Sequence, residues 1–156
     1  MRARSLLIIA VLTAAACGGS DDGGTPPDPS VDTDGDTIRD GDEGAVTAVD
    51  TDGDGTPDYQ DADADGDGID DYREAGDADP VTPPVDSDRD GTPDFRDTDA
   101  DGNGVADGVD GTGDFDGDGQ PDFQDPDDDG DGLPDSGELG DPAAPRDTDG
   151  DGQPDF

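Results

Sequence analysis

The sequence contains no histidine and no lysine, and Cys17 is the single cysteine among its 156 residues. Histidine and lysine supply many of the general bases and amine nucleophiles of enzymes, and without them the serines and threonines lack a base partner. Carboxylates are plentiful, but we expect too few apolar neighbours around them to raise a pKa for acid–base work. The sequence therefore argues against an enzyme, and the lone cysteine excludes an intrachain disulfide.

Large apolar residues are also scarce, since hydrophobic residues make up 26% of the chain and aromatic residues 4%. Glycines and prolines, by contrast, number 26 and 14. Such a chain buries too little apolar surface to offset the conformational entropy that is lost on folding. Proteins with an insufficient core are usually stabilised by disulfides or by metal ions. Because disulfides are excluded, a bound metal is the expected source of cohesion.

Positive charge is scarce as well, with 7 basic residues, all arginine, against 47 acidic residues and a net charge of −40. Nucleic acids and anionic membrane surfaces are bound by clusters of lysine and arginine. We therefore expect no nucleic-acid partner and no direct binding to an anionic lipid surface. Divalent cations are the partners that the electrostatics favours.

The first seventeen residues have the pattern of an export signal. Arg2 and Arg4 precede an apolar run at residues 6–16. This run is too short to span a bilayer and matches the hydrophobic region of a signal peptide. We therefore expect residues 1–17 to direct export.

The end of this segment, TAAAC at residues 13–17, resembles the lipobox of bacterial lipoproteins. The resemblance implies that Cys17 becomes the new N-terminus and carries a lipid, although Ala14 stands where that family usually has leucine. The alternative is an ordinary secretory signal that is cut after an Ala-x-Ala sequence. Residues 18–31 have the composition of a flexible tether. In the lipoproteins that this segment resembles, an aspartate just after the cysteine often signals retention in the inner membrane. Because Gly18 stands there, the resemblance implies the outer membrane instead.

From residue 32 onward the chain repeats a twelve-residue acidic motif. One type, here called the A loop, has the form DTDGDGTPDYQD and occurs at residues 50–61, 86–97 and 114–125. A second type, the B loop, has the form DADGDGIDDYRE and occurs at residues 63–74, 99–110 and 127–138. Each A loop starts thirteen residues before its B loop. A lone early copy covers residues 32–43, and a last copy, 147–156, reaches only position 10.

The spacing of the acidic residues matches the ligand positions of a calcium loop. Calcium takes six to eight oxygen ligands, which a tight loop offers from the side chains at positions 1, 3, 5 and 12, the carbonyl of position 7, and position 9 directly or through water. In the first A loop these side chains are Asp50, Asp52, Asp54, Asp58 and Asp61. The corresponding side chains elsewhere are Asp32, Asp34, Asp36, Asp40 and Glu43; Asp63, Asp65, Asp67, Asp71 and Glu74; Asp86, Asp88, Asp90, Asp94 and Asp97; Asp99, Asp101, Asn103, Asp107 and Asp110; Asp114, Asp116, Asp118, Asp122 and Asp125; Asp127, Asp129, Asp131, Asp135 and Glu138; and Asp147, Asp149, Asp151 and Asp155.

Two copies depart from this pattern in an informative way. Asn103 replaces aspartate at position 5 of its loop, and we expect its carbonyl oxygen to serve as the ligand. Position 6 is glycine in every other copy, as a sharp turn with positive φ requires, but it is Thr37 in the early copy. Residues 32–43 are therefore expected to form the weakest complete site. A further hypothesis is that Asp61, Asp97 and Asp125, which end one loop two residues before the next begins, each bridge two ions.

Three features distinguish these loops from EF-hands. A single residue, Ala62, separates position 12 of one loop from position 1 of the next, which leaves no room for a flanking helix. Position 8, where paired EF-hands form a short β-contact, is often proline and then has no N–H to donate; these prolines are Pro57, Pro93, Pro121, Pro134 and Pro154. Five of the six aromatic residues occupy position 10, namely Tyr59, Tyr72, Phe95, Phe123 and Phe156. Each ring is expected to cap its own loop or to pack on a neighbouring one.

These tandem Asp-x-Asp-x-Asp-Gly-x-Pro-Asp loops resemble thrombospondin type 3 repeats, in the form found in bacterial surface proteins, over residues 32–156. The resemblance implies a chain wrapped around a row of about eight or more calcium ions, with little regular secondary structure and little hydrophobic core, after a disordered signal and tether. It also implies a role in calcium binding, in cell adhesion or as a calcium-stiffened stalk. Animal members tie successive loops together with disulfides, which this chain lacks, so its cohesion would depend on calcium alone.

The sequence therefore predicts a non-enzymatic calcium-binding protein of a bacterial outer membrane or cell surface, which contacts the membrane through its lipid anchor and has an unidentified surface or matrix partner. Two alternatives remain open. The chain could be a disordered acidic tract that buffers cations, and it would then bind calcium and magnesium alike without compaction. It could also be the N-terminal fragment of a larger surface protein, since its last loop lacks position 12.

Overall fold

The computed structural model describes residues 26–138, so the predicted signal peptide, most of the predicted tether and the last copy of the motif lie outside the described residues. Regular structure within 26–138 is limited to short helical turns, without a strand. Three are 3-10 turns, at Asp58–Gln60, Asp94–Arg96 and Asp122–Gln124. Three are single α-helical turns, namely α1 (Asp71–Glu74), α2 (Asp107–Asp110) and α3 (Asp135–Glu138). The prediction of little regular secondary structure is confirmed, and none of these helices is long and apolar enough to cross a membrane.

Each helical turn forms the end of one loop. The 3-10 turns cover positions 9–11 of the A loops, and the α-helical turns cover positions 9–12 of the B loops. The residue before each turn has an extended backbone where the structure gives its angles, for example φ −71° and ψ 146° at Pro57. Proline has a fixed φ that suits this extended position and needs no hydrogen-bond partner for an N–H. The frequent proline at position 8 therefore sets the start of the turn.

The aspartates at positions 1, 3 and 5 shape the first half of each loop. In the first A loop, the Gly53 N–H donates to Asp50 Oδ1 (2.9 Å), and the Asp54 N–H donates to Asp52 Oδ1 (2.8 Å). The Thr56 N–H donates to an oxygen of Asp54 in the same way (2.7 Å). Such bonds between an aspartate side chain and the backbone just after it are typical of tight turns. One oxygen of each carboxylate therefore holds the turn, and the other remains free to face the loop centre.

Position 6 has the left-handed backbone that the sequence predicts. Its glycines have positive φ throughout the described loops, as at Gly55 with φ 105°. The early copy adopts the same conformation with Thr37 at φ 81°, which is strongly disfavoured for a β-branched residue. This strain is a physical reason to expect residues 32–43 to form the weakest complete site.

The aspartate at position 9 closes each loop from both sides. In the first A loop, the Asp58 N–H donates to the Val49 carbonyl (2.9 Å), and the Asp58 carboxylate accepts the N–H of Thr51 (2.8 Å). Equivalent pairs of bonds occur in all seven loops that lie within residues 26–138. Position 9 therefore has a structural role that the ligand pattern alone does not suggest.

The ordered array begins slightly earlier than the sequence predicts. The Asp40 N–H donates to the Val31 carbonyl (2.8 Å), and the Gly41 N–H donates to the Pro29 carbonyl (3.2 Å). These residues belong to the segment 18–31 that was predicted to be a flexible tether. The end of that segment instead packs against the early loop, because position 9 needs the residue before position 1 as its acceptor.

Two small apolar clusters repeat along the chain. The first contains Ile38, Ala64, Ala75 and Phe95, and the second contains Ile69, Ala100 and Phe123. Each cluster includes position 7 of one loop, position 2 of the next B loop, and position 10 of the A loop that follows. In the first cluster the position-7 residue, Ile38, comes from the early copy, so this copy packs as a B loop does. Position 10 of an A loop therefore packs on neighbouring loops, which is one of the two arrangements that we expect from the sequence.

We expect the two position-10 rings of different loop types to contribute very differently to stability. Phe95, in an A loop, is 0% exposed, whereas Tyr72, in a B loop, is 49% exposed. Phe95→Ala should therefore lower the free energy of unfolding by about 3 kcal/mol or more, because it leaves a cavity between three loops. Tyr72→Ala, the control, should change it by about 0.5 kcal/mol. Chemical denaturation of both variants checks this, and equal losses would contradict the packing.

Candidate metal centres

Carboxylates converge at the centre of the loops as the sequence predicts. Positions 1, 3 and 5 form compact groups, which include Asp32, Asp34 and Asp36; Asp50, Asp52 and Asp54; and Asp63, Asp65 and Asp67. Within each group, one oxygen from each residue lies within 4.8 Å of the others. Oxygens on opposite sides of a calcium ion lie about 4.8 Å apart, twice a metal–oxygen distance of about 2.4 Å. These groups could each hold one metal ion.

Position 12 lies beside the carboxylates of its own loop. Burial raises the pKa of Asp61, and repulsion from Asp54 and Asp52 adds to this effect. At position 12 of the first B loop, burial raises the pKa of Glu74, and the negative charge of Asp65 raises it further. Positions 3, 5 and 12 are thus brought together in both loop types, as the calcium-loop pattern predicts.

A second kind of carboxylate cluster joins two different loops, and it was not predicted from the sequence. In the first such cluster, Asp36 and Glu43 of the early loop meet Asp71 of the next B loop. In the second, Asp67 and Glu74 of that B loop meet Asp107 of the following B loop; each cluster has one oxygen per residue within 4.8 Å of the others. Positions 5 and 12 of one loop therefore face position 9 of the next B loop. Below, these are called the first and second inter-loop clusters.

The glutamates of the inter-loop clusters are buried and have no hydrogen-bond partner. Glu43 and Glu74 are both 0% exposed, and neither oxygen of either carboxylate accepts a hydrogen bond. The Oδ2 atoms of Asp36, Asp67 and Asp71 are also buried without a partner. Buried polar side chains in folded proteins are almost always hydrogen-bonded, and buried charges are paired or bind metals. These oxygens therefore lack the positive partner that their burial requires.

Burial, together with repulsion from neighbouring carboxylates, raises the pKa of Glu43 to about 9 and that of Glu74 to about 10. Burial likewise raises the pKa of Asp71 and of Asp107 to about 8. These pKa values are raised although the sequence offers few apolar neighbours, because the loops bury the acidic residues against one another. Two like charges within 4.8 Å repel by at least about 3 kcal/mol at an effective dielectric constant of about 20. A bound divalent cation would reverse both effects.

The junction between the last two described B loops is built differently, because it contains Asn103. Asn103 Oδ1 accepts the Val105 N–H (2.5 Å), as the Oδ1 of Asp67 accepts the N–H two residues later in its own loop (2.7 Å). The Asn103 Nδ2 group then donates to Asp135 Oδ2 (3.0 Å) and, at 3.5 Å, to Asp110 Oδ2. The carbonyl oxygen that we expected to be a metal ligand is thus used by the backbone. The amide nitrogen faces the two carboxylates instead.

Position 9 of the first two A loops accepts a hydrogen bond from a neutral or positive side-chain donor. Arg96 Nε donates to Asp58 Oδ2 (2.6 Å), and Gln124 Nε2 donates to Asp94 Oδ2 (2.7 Å). In both cases a residue at position 11 of one A loop reaches position 9 of the A loop before it. Arg96 also donates to the Glu43 carbonyl (2.6 Å), which links the A loops to the first inter-loop cluster. Asp58 and Asp94 are therefore held by side-chain donors of the next A loop.

Position 2 is a sequence signal that separates these two roles of position 9. The hydroxyl groups of Thr51 and Ser87 donate to Oδ2 of the position-9 aspartate in their own A loops. Two of the paired B loops have alanine there, Ala64 and Ala100, and an alanine side chain cannot donate. The hydroxyl group at position 2 thus indicates a closed position 9, and alanine indicates one that is available to another loop.

The remaining predicted ligands lie in different surroundings. Asp50, Asp52 and Asp54 of the first A loop are exposed, unlike the glutamates of the inter-loop clusters. Each of the three aspartates that were expected to bridge two ions accepts the first N–H of the next loop through Oδ1; these are Asp61 (3.2 Å), Asp97 (3.1 Å) and Asp125 (3.1 Å). Cys17, Asp147, Asp149, Asp151 and Asp155 lie outside the described residues.

Comparisons with known proteins leave the function to be argued from this geometry. A scan against protein-family models found no matching family, and searches of curated proteins and of solved structures found no significant match. Function is in any case a property of the site rather than of the fold alone. The two inter-loop clusters are the most distinctive chemical feature of the described residues.

We expect Glu74 to be needed for cation-dependent folding because of its place in the second inter-loop cluster, and not only because of its negative charge. Glu74→Gln removes a buried cluster oxygen, and loss of a metal's supporting group typically weakens affinity by about tenfold or more. It should raise the calcium concentration at half-maximal folding by a similar factor. Asp70→Asn, which removes the same charge from an exposed residue of the same loop, should have little effect. Equal shifts in a calcium titration followed by circular dichroism would indicate general charge screening instead.

Proposed function

We propose that this chain is a calcium-binding, non-enzymatic repeat protein of a bacterial cell surface. In this proposal, calcium orders an array of thrombospondin type 3-like loops into a stalk or adhesion module. Export by residues 1–17, a lipid on Cys17 and attachment to the outer membrane complete the proposal. They rest on the sequence pattern of residues that lie outside the described range.

The single observation that carries the proposal is the burial of Glu43 and Glu74 without any hydrogen-bond partner. A carboxylate in that position is expected to be neutralised by a proton or paired with a cation. Each glutamate lies with two aspartates whose oxygens are within 4.8 Å, which suits a cation better than three separate protons. This supports metal binding as the organising interaction of the fold.

The chemistry of the ligands favours calcium over other metals. Described residues of the array contain neither histidine nor cysteine, so only oxygen ligands are available there. Hard cations such as calcium and magnesium prefer oxygen. Magnesium requires near-ideal octahedral geometry and retains several waters, whereas calcium accepts a flexible cage of six to eight oxygens that the protein can supply. Loops with four or five acidic side chains are cages of the second kind.

The pattern of contacts supports a role as a stalk or spacer. Arg96 and Gln124 each reach back to the preceding A loop, and the inter-loop clusters each join one B-type loop to the next. A chain in which each unit contacts its neighbours is a quasi-one-dimensional array, and its stability depends on the interfaces between units. Calcium bound at those interfaces would stiffen the array along its length.

The raised pKa values do not favour an enzyme over this proposal. A general acid must reach the proton of a substrate within hydrogen-bond distance. The pKa is raised to about 9 at Glu43 and to about 10 at Glu74. Both side chains are 0% exposed and therefore have no contact with solvent or substrate. The arrangement suits an internal cation rather than a reaction at the surface.

The proposal predicts that millimolar calcium compacts the chain and that EDTA expands it. Extracellular calcium modules bind with Kd values of about 10⁻⁴ to 10⁻³ M, so the transition should fall in that range. Small-angle scattering gives the radius of gyration, and calorimetry gives the number of ions and their affinity. Magnesium at equal concentration, and sodium chloride at equal ionic strength, serve as controls for non-specific screening.

Compaction by calcium at concentrations where magnesium and sodium have little effect is the expected result. An unchanged radius of gyration in calcium would refute the proposal. Equal compaction by calcium and magnesium would favour the acidic, cation-buffering tract that the sequence leaves open as an alternative.

A further inference from the structure

We propose that two calcium ions lie between loops rather than within them, and that a side-chain amide replaces the ion at a third such junction. The two composite sites are the inter-loop clusters, formed by Asp36, Glu43 and Asp71, and by Asp67, Glu74 and Asp107. The replacement is Asn103, between Asp110 and Asp135. This inference rests on the proposed function, since it assigns the position of ions in a calcium-binding array.

The first step of the argument is that each composite site draws its ligands from two loops. Asp36 and Glu43 come from residues 32–43, while Asp71 comes from the B loop that begins at Asp63. One oxygen from each residue lies within 4.8 Å of the others, a separation that oxygens around a single calcium ion can have. One ion could therefore contact both loops and hold them together.

The second step is that the glutamates in these clusters have no other partner. Both oxygens of Glu43 and both oxygens of Glu74 are buried and unpartnered, although the rest of the fold satisfies many other carboxylates. This is an independent sign of a missing ligand, because clustering alone does not require that an oxygen be buried and unsatisfied. The unpartnered oxygens belong to the same groups as the position-9 aspartates of the next loop.

The third step is that Asp71, at position 9 of the first B loop, is held in place with one oxygen to spare for an ion. Asp71 Oδ1 accepts the Ala64 N–H (2.8 Å), which closes its own loop, and its Oδ2 atom is buried without a partner. By contrast, Asp58 and Asp94 in the A loops use Oδ2 to accept bonds from Arg96 and Gln124. The backbone bond orients Asp71 once its loop has formed, and the buried Oδ2 atom is then available to an ion in the first inter-loop cluster.

The third junction shows what the fold does where the cluster has one carboxylate fewer. Asn103 occupies position 5, as Asp36 and Asp67 do in the other two clusters. Its Nδ2 group donates to Asp135 Oδ2 (3.0 Å), so a neutral donor takes the place that a cation would take. Asp101 Oδ2 and Asp110 Oδ1 are still buried there without a partner, so this junction is expected to depend on calcium less strongly than the other two do.

The composite sites are tested by a double-mutant cycle on the full chain, with calcium affinity measured by calorimetry. Asp71→Asn keeps an oxygen for the Ala64 N–H but removes a charge from the first cluster. Because even supporting groups around a metal are worth about 10–100-fold in affinity, Asp71→Asn should weaken one site at least about tenfold. Glu43→Gln should weaken the same site, and the double variant should be little worse than either single variant.

Asp94→Asn is the matched control, since it makes the same change at position 9 of an A loop. It should leave that calcium site unchanged and should be additive with Glu43→Gln. Additive effects of Asp71→Asn and Glu43→Gln, or equal effects of Asp71→Asn and Asp94→Asn, would overturn the composite site. If the unaltered chain takes up no calcium at all, the proposed function fails, which is a different result.

The third junction is tested by hydrogen exchange in EDTA, which does not depend on how any aspartate variant folds. The N–H groups of Asp71, Asp107 and Asp135 make equivalent backbone bonds of 3.0, 3.1 and 3.0 Å. In EDTA the Asp135 N–H should exchange more slowly than the other two, because Asn103 holds its junction without an ion. Asn103→Asp should abolish this difference in EDTA and restore protection in calcium. Equal exchange at all three positions in the unaltered chain would refute the role of Asn103.

Discussion

The constraint on which this structure depends is the repulsion among carboxylates that the fold itself brings together. The chain has a net charge of −40, and its largest buried side chains include Glu43 and Glu74 as well as Phe95. Two apolar clusters of three or four residues are small compared with the entropy that a chain of this length loses on folding. The acidic clusters occupy the place of a core, so whatever neutralises them determines whether the array forms. In this account, calcium has that role.

Each loop aspartate resolves part of this problem locally, because a carboxylate has two oxygens. One oxygen holds a backbone N–H and fixes the turn, as Asp71 Oδ1 does with the Ala64 N–H. The second oxygen is then directed toward another group, and the identity of that group separates the two types of loop. In the first two A loops it is a donor such as Arg96, and in the first two B loops position 9 lies in a cluster of further carboxylates. The same residue type at position 9 therefore closes one interface with hydrogen bonds and another, by inference, with an ion.

Much of the local structure could be predicted from the sequence, and the contacts between loops could not. The register of aspartates indicates which side chains converge, and the glycine at position 6 indicates the left-handed turn, including its strain at Thr37. The inter-loop clusters depend on which loop packs on which, and Asp71 lies 35 positions after its partner Asp36 in the chain. Such contacts leave only indirect signals, such as alanine in place of threonine or serine at position 2. Asn103 shows a further limit, because its amide can present either an oxygen or a nitrogen, and only the bond to Val105 decides between them.

The most direct test of this account is an anomalous-difference map from crystals grown with calcium. The account predicts one peak in contact with Asp36, Glu43 and Asp71, and a second in contact with Asp67, Glu74 and Asp107. It also predicts that no ion at the third junction has Asp135 as a ligand. Peaks confined to the centres of single loops, with Asp71 and Asp107 outside the coordination shell, would contradict it.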